Sequence, residues 1–207
     1  MTSLEQAIAV LGLEVFCSVV VGVVATSSIY KVPGFEDEVR RERQHAMEVA
    51  NIATRLCRSQ GHDECRSMAF LGGLLHNAGK VLVLRNLGLL KKKYPDVKVG
   101  PYLLDRLMNE LYVPLGLYYG LHRGLAKEIR DVIVYHRRPG EAPEPTREAV
   151  RMVAIANALA ESELPLSSDL IVRNTTARLQ LPAEHPPTER LMSEAVEVLR
   201  ELRRFDA

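Results

Sequence analysis

The chain has no tryptophan among its 207 residues, and its three cysteines, Cys17, Cys57 and Cys65, include no CxxC pair. The first absence argues against a large aromatic ligand platform. The second leaves neither zinc-ligand nor dithiol-redox spacing, so reduced, packed thiols are expected, with Cys17 inert in an apolar helix. Charge of one sign is also lacking. Lys and Arg total 27 against 26 Asp and Glu, a formal net charge of +1, which makes no electrostatic case for nucleic acid as the main partner. Asn-Gly hairpin signals and regular apolar–polar alternation are absent, so no sheet is expected. GxSxG, HExxH and the Walker phosphate loop are missing as well, which removes three common catalytic devices.

What is present reads as helix, in one domain that can bury a sizeable core. Thr2-x-x-Glu5 and Ser3-x-x-Gln6 are capping-box patterns that start a helix near residue 3. From Ala7 to Ala25 the chain is almost wholly apolar, close to membrane-span length. Glu14 and Ser18 interrupt it, Gly12 and Gly22 break it, and no basic residue precedes it. Two buried helices cornered at Leu11-Gly12 are therefore preferred to a signal peptide or a membrane segment.

Glu36 to Gln60 carries Val39, Ala46, Val49, Ala50, Ala53, Leu56 and Cys57 at three- and four-residue steps, and Gly61 stops it. Its charge run through Arg40, Arg41 and Arg43 reads as a solvated face. Asp63 caps the next helix, which stops near Gly79. Val81–Leu87 continues as a short helix, and Lys91 to Pro95 form a loop. Further helices are expected near 101–112, 114–123 and 126–137. A Pro-rich linker covers Arg138 to Pro145, and Thr146 caps a helix running from Arg147 to Glu161. Residues 162–207 are expected to form a C-terminal helical extension on the same domain as 1–161. The sum is an all-α fold of about nine to eleven helices.

The most informative stretch is Ala69-Phe70-Leu71-Gly72-Gly73-Leu74-Leu75-His76-Asn77-Ala78-Gly79-Lys80. With it go Ser3-Leu4-Glu5-Gln6-Ala7-Ile8, His45 followed by Ala46 and Ala50, and Val132-Ile133-Val134-Tyr135-His136-Arg137-Arg138-Pro139. In this order the segments resemble the HDOD group, the HD-related output domain of bacterial signalling proteins, over about residues 3–160. The resemblance implies an HD-domain-like multi-helix orthogonal bundle and bacterial cytoplasmic signal transduction. It also implies a metal-dependent phosphohydrolase ancestry, in which a first His, a His-Asp pair and a late Asp hold divalent metal.

The matching positions here are His45, His76-Asn77 and Asn157, so both acids are amides. Tyr135 replaces the first His of the later pair, and Tyr112 stands where members often carry a His. Losing two negative charges empties a site meant for a divalent ion. The resemblance thus implies a vestigial pocket of His45, His76, Asn77, Lys80, His136 and Asn157, with no catalytic residue, no metal and no cofactor. A non-catalytic regulatory module binding a protein partner or small ligand is expected, without membrane or nucleic acid. The alternative is a phosphohydrolase of a nucleotide or cyclic dinucleotide. The family's usual N-terminal helices precede the Ser3 segment and are expected to be missing here, which would leave apolar faces at residues 4–28 to pair with a second copy or an extra element.

Each site residue has a plainer reading. His45 beside an Ala/Val stripe is commonly a packed, hydrogen-bonded residue, and His76 suits a helix C-terminus by its charge. Asn77 and Gly79 together resemble a helix stop, although Asn77 is also placed to bond His45 or Asn157. Lys80 serves either a phosphate or a helix end. His136 with Arg137 and Arg138 reads as a solvated basic helix end or an anion pocket. Asn157 on an apolar helix needs a polar partner if buried.

Overall fold

The structure is a computed structural model that describes residues 30–161 together with Val196 and Glu197. The expected helices over residues 3–28, the apolar faces at 4–28, Cys17 and nearly all of 162–207 lie outside the described residues. The fold is an all-α multi-helix bundle with no strand among the described residues. Its helices are α1 (Glu36–Ser59), α2 (Arg66–Leu75), α3 (Ala78–Lys93), α4 (Pro101–His122), α5 (Lys127–Tyr135) and α6 (Arg147–Ala160). Short 3-10 turns occupy Asp63–Cys65, Pro139–Glu141 and Glu144–Thr146.

The apolar stripe of α1 does what its spacing predicts: all seven of its named residues are buried. At its end Gly61 takes φ +74. The Gly61 amide donates to the Arg58 carbonyl at 3.2 Å and the His62 amide to the Cys57 carbonyl at 2.8 Å, closing the helix as a Schellman turn. The chain folds straight back into α2, which packs extensively on α1. Helix α6 lies against both and buries Val150, Val153, Ala154 and Leu159 with Val49, Ile52 and Leu56 of α1, joined by Val196. A second apolar cluster joins α2, α3 and α5 through Leu75, Leu84 and Ile133.

The glycines of the signature are close-approach residues. A methyl on Gly73 would lie 2.5 Å from the Ala50 backbone, and one on Gly72 would lie 2.8 Å from Val132. One on Gly79 would lie 1.7 Å from the Tyr112 carbonyl oxygen. Gly79 is therefore no helix stop. It is the second residue of α3, and its lack of a side chain lets α3 and α4 cross in backbone contact.

Several expected boundaries move. The signature helix ends at Leu75, and α3 runs on through Lys93, so the three lysines form a last turn rather than a loop. Cations are favoured there by the exposed carbonyls of the helix end. The stretches 101–112 and 114–123 are one helix of 22 residues with Pro114 inside it. Proline removes one backbone bond, but the carbonyl it leaves, on Glu110, lies on an exposed stretch that water can reach. The Pro-rich linker is a pair of 3-10 turns. Thr146 stands before α6 without a side-chain cap; its hydroxyl goes to Asp131 instead, at 3.3 Å. Cys65, not Asp63, occupies the position before α2.

Asp63–Lys93 includes a window long and apolar enough to cross a membrane (mean hydropathy 1.3), but 72% of it is buried inside the protein. A turn also divides it at His76 and Asn77.

Candidate functional site

Three imidazoles meet where α1, α2, α5 and α6 converge. His45 comes from mid-α1, while His76 and His136 each follow the last residue of a helix, α2 and α5. The rings of His45 and His76 are 5.3 Å apart, and those of His76 and His136 are 5.1 Å apart, edge to face. Asn157, 4% exposed on the apolar helix α6, supplies the centre. Its Oδ1 lies 2.9 Å from His45 Nε2 and 3.0 Å from His76 Nε2.

The outer nitrogens of two rings are anchored by main chain. His76 Nδ1 lies 2.7 Å from the Gly73 carbonyl. His136 Nδ1 lies 3.1 Å from the carbonyls of both Val132 and Ile133. These contacts require Nδ1–H, because a carbonyl only accepts. Burial keeps both rings neutral. It holds His76 well below the usual imidazole range, with the neighbouring His136 and His45 adding to the effect. It brings His136 down to about 4, assisted by Arg137.

A neutral ring carries one N–H, so inside the pocket each of these two Nε2 atoms presents a lone pair. For His136, the Tyr112 hydroxyl donates to that lone pair at 3.4 Å. For His76, the lone pair meets the Asn157 amide. The Asn157 oxygen faces it at 3.0 Å, while the amide nitrogen is turned to Glu161.

Charge is arranged around this neutral centre in two matching pairs. Glu42 lies 3.5 Å from Asn77 Nδ2 and 3.6 Å from Lys80 Nζ. Glu161 lies 3.3 Å from Asn157 Nδ2 and 3.7 Å from Arg137. Both cations sit by the Tyr112 ring, Lys80 at 5.9 Å and Arg137 at 5.3 Å from its centroid. Each amide that occupies an acid position is therefore held by a glutamate further out.

The six candidate residues thus gather around one centre, with different partners from those expected. Asn77 bonds Glu42 rather than His45 or Asn157. Lys80 neither caps a helix end nor stands free; it is the third residue of α3 and pairs with Glu42. His136 is 1% exposed, so the solvated-end reading fails for it, while Arg138 does lie in solvent, paired with Glu141. Glu42 and Glu161 were not singled out from the sequence. The available signal was helical spacing: Glu42 is three residues before His45 and Glu161 four after Asn157, each on the same helix face as a pocket residue.

The donor set does not fit a divalent metal. The span between His45 Nε2 and His76 Nε2 is filled by an amide oxygen at hydrogen-bond distance from both, and the inner polar groups carry no negative charge. Among the described residues no three His, Cys, Asp or Glu side chains form a metal-binding group.

Comparison with known proteins bears on the same residues. Residues 1–95 match the HDOD domain family. That span holds the Ser3 segment, His45 and the whole signature through Lys80, while the Val132–Pro139 segment and Asn157 lie outside it. The fold extends the likeness. A crystal structure of an HDOD domain protein with unknown function from Geobacter sulfurreducens superposes with a TM-score of 0.63 at 20% identity, covering 97% of this chain and 74% of that one. At that identity the likeness is one of fold alone. No curated protein matches the chain.

Proposed function

We propose that this protein is a non-catalytic regulatory module of cytoplasmic signal transduction, acting by binding a protein partner or a small ligand. The observation that carries this reading is the Asn157 amide seated between His45 and His76. A hydrolytic HD site needs anionic oxygens to hold its metal and a metal-bound water to attack phosphorus. Here both acid positions are neutral amides, and Asn157 is bonded to His45 and His76. A buried polar network of this kind fixes helix ends in place and specifies one arrangement of α1, α2, α5 and α6.

The phosphohydrolase alternative draws on a separate feature. His76 and His136 each turn Nδ1–H to a backbone carbonyl and Nε2 inward, which is how metal-ligating imidazoles are held. That orientation supports descent from a metal site, while the amides argue against present use.

The test is metal content and turnover. Protein purified without chelator is expected to carry no stoichiometric transition metal, and with Mn²⁺ added to leave a panel of nucleotide and cyclic-dinucleotide phosphodiesters intact. Stoichiometric metal, or turnover abolished by His45→Ala, overturns the regulatory reading. Asn77→Asp combined with Asn157→Asp is expected to gain divalent metal binding, since imidazole orientation is retained and charge is returned.

A further inference from the structure

The hairpin joining α1 to α2 brings together two cysteines that the sequence leaves eight positions apart. Cys57 Sγ lies 2.9 Å from Cys65 Sγ, against about 2.0 Å for a formed disulfide. The two differ in setting. Cys57 is in the last turn of α1 and 0% exposed, whereas Cys65 is 7% exposed. Cys65 stands immediately before α2, a helix of 10 residues, with Arg66 next in sequence. A helix N-terminus favours a thiolate, against the opposing charges of Glu64 and Glu148. The turn that covers the pair is thin: Arg58 to Gly61, Asp63 and Glu64 are all exposed. We propose that Cys57 and Cys65 form a dithiol site that a small disulfide oxidant, of the glutathione disulfide class, converts reversibly into an intramolecular disulfide.

Cys65 thiolate attacks one sulfur of the oxidant, whose S–S bond breaks and releases one thiol. The mixed disulfide then lies beside Cys57. Cys57 sulfur attacks Cys65 Sγ, the Cys57–Cys65 bond forms, and the second thiol leaves. Two electrons pass from the cysteine pair to the oxidant, and the two cysteine protons end on the two released thiols. The assignment of order agrees with the electrostatics. Cys57 donating its S–H holds Cys65 below the ordinary thiol range, while the same contact and burial push Cys57 up.

The bond would fasten α1, which carries Glu42 and His45, to α2, which leads into His76. It rests on sulfur geometry alone and stands or falls separately from the regulatory reading.

The experiment uses the unsubstituted full chain, incubated with oxidised glutathione, alkylated and digested with trypsin. Cleavage after Arg55, Arg58 and Arg66 places Cys57 and Cys65 in different peptides, so the link is directly visible by mass, and the mass of the undigested chain shows whether it lies within one chain or between two. A Cys57–Cys65 linked pair that dithiothreitol reverses is expected. Cys57→Ser is expected to retain glutathione on Cys65, and Cys65→Ser to slow reaction at Cys57 at least about tenfold. Recovery of both thiols unlinked in the unsubstituted chain, or a link only between two chains, overturns the proposal whether or not the serine variants fold.

Discussion

Helices α6 and α4 divide the bundle into unlike halves. Eleven of the fourteen residues of α6 are buried, against four of the twenty-two of α4. On α6 the run Ala154, Ala156, Ala158 and Ala160 keeps side chains short, so its neighbours come close and Asn157 reaches His45 across the gap. On α4, Tyr102, Leu103, Tyr118 and Leu121 face solvent. Polar chemistry is concentrated where small residues pin the backbone, because a buried amide is tolerated only where its partners are fixed at bonding distance. One tight contact between the halves is Gly79 of α3 against the Tyr112 carbonyl of α4.

That contact is the place to break the comparison. A methyl at Gly79 lands on backbone, which cannot step aside as a side-chain end would. Gly79→Ala is expected to cost at least about 3 kcal/mol, or to prevent folding, in denaturant titration. Gly140→Ala, whose methyl meets nothing within 4 Å, is the control and is expected to stay within about 0.5 kcal/mol.

Acid tests the buried half alone. His136 titrates near 4 in the fold and near the usual 6.5 when unfolded. Above pH 6.5 the ring is neutral in both states and carries no penalty. As pH falls from 6.5 to about 4 the unfolded chain takes up a proton that the fold refuses, so stability drops across that window, by about 3 kcal/mol from this residue. His76 acts in the same direction. Urea midpoints measured from pH 7 to pH 4 check the slope, and His136→Gln is expected to flatten it.

Much of this was legible in the sequence, for identifiable reasons. The α1 stripe and the Gly61 stop were readable because helical periodicity and left-handed glycine are local properties. Gly79 was misread for the same reason: a glycine after a His-Asn pair looks locally like a terminator, while its actual partner, Tyr112, is thirty-three positions away in the chain. Pro114 misled in the opposite sense, since one missing bond does not end a helix held by packing on both sides of it. Within the site, the residue types of the family pattern were readable, but Glu42 was hidden in a charge run whose arginines do lie in solvent. The cysteine pair was invisible to spacing rules because it is made by a Schellman turn, not by a motif.

Asn157→Leu sharpens the comparison within the buried half. Leucine fits the apolar surroundings of α6 but offers His45 and His76 nothing to bond. The expected loss is about 1–3 kcal/mol by chemical denaturation, the cost of a buried imidazole nitrogen left without a partner. Asn157→Asp keeps the shape and places a carboxylate against the His76 ring, so that imidazole is expected to titrate at higher pH, read from its ring-proton NMR shifts.

The smallest effect belongs to the exposed half. Tyr102 is 80% exposed near the start of α4, so truncating it removes little that folding had buried. Tyr102→Ser is expected to shift stability by less than about 0.5 kcal/mol. A larger loss in denaturant titration would mean that α4 is covered in solution, and the contrast between a pinned half and an open one would then fail at its open end.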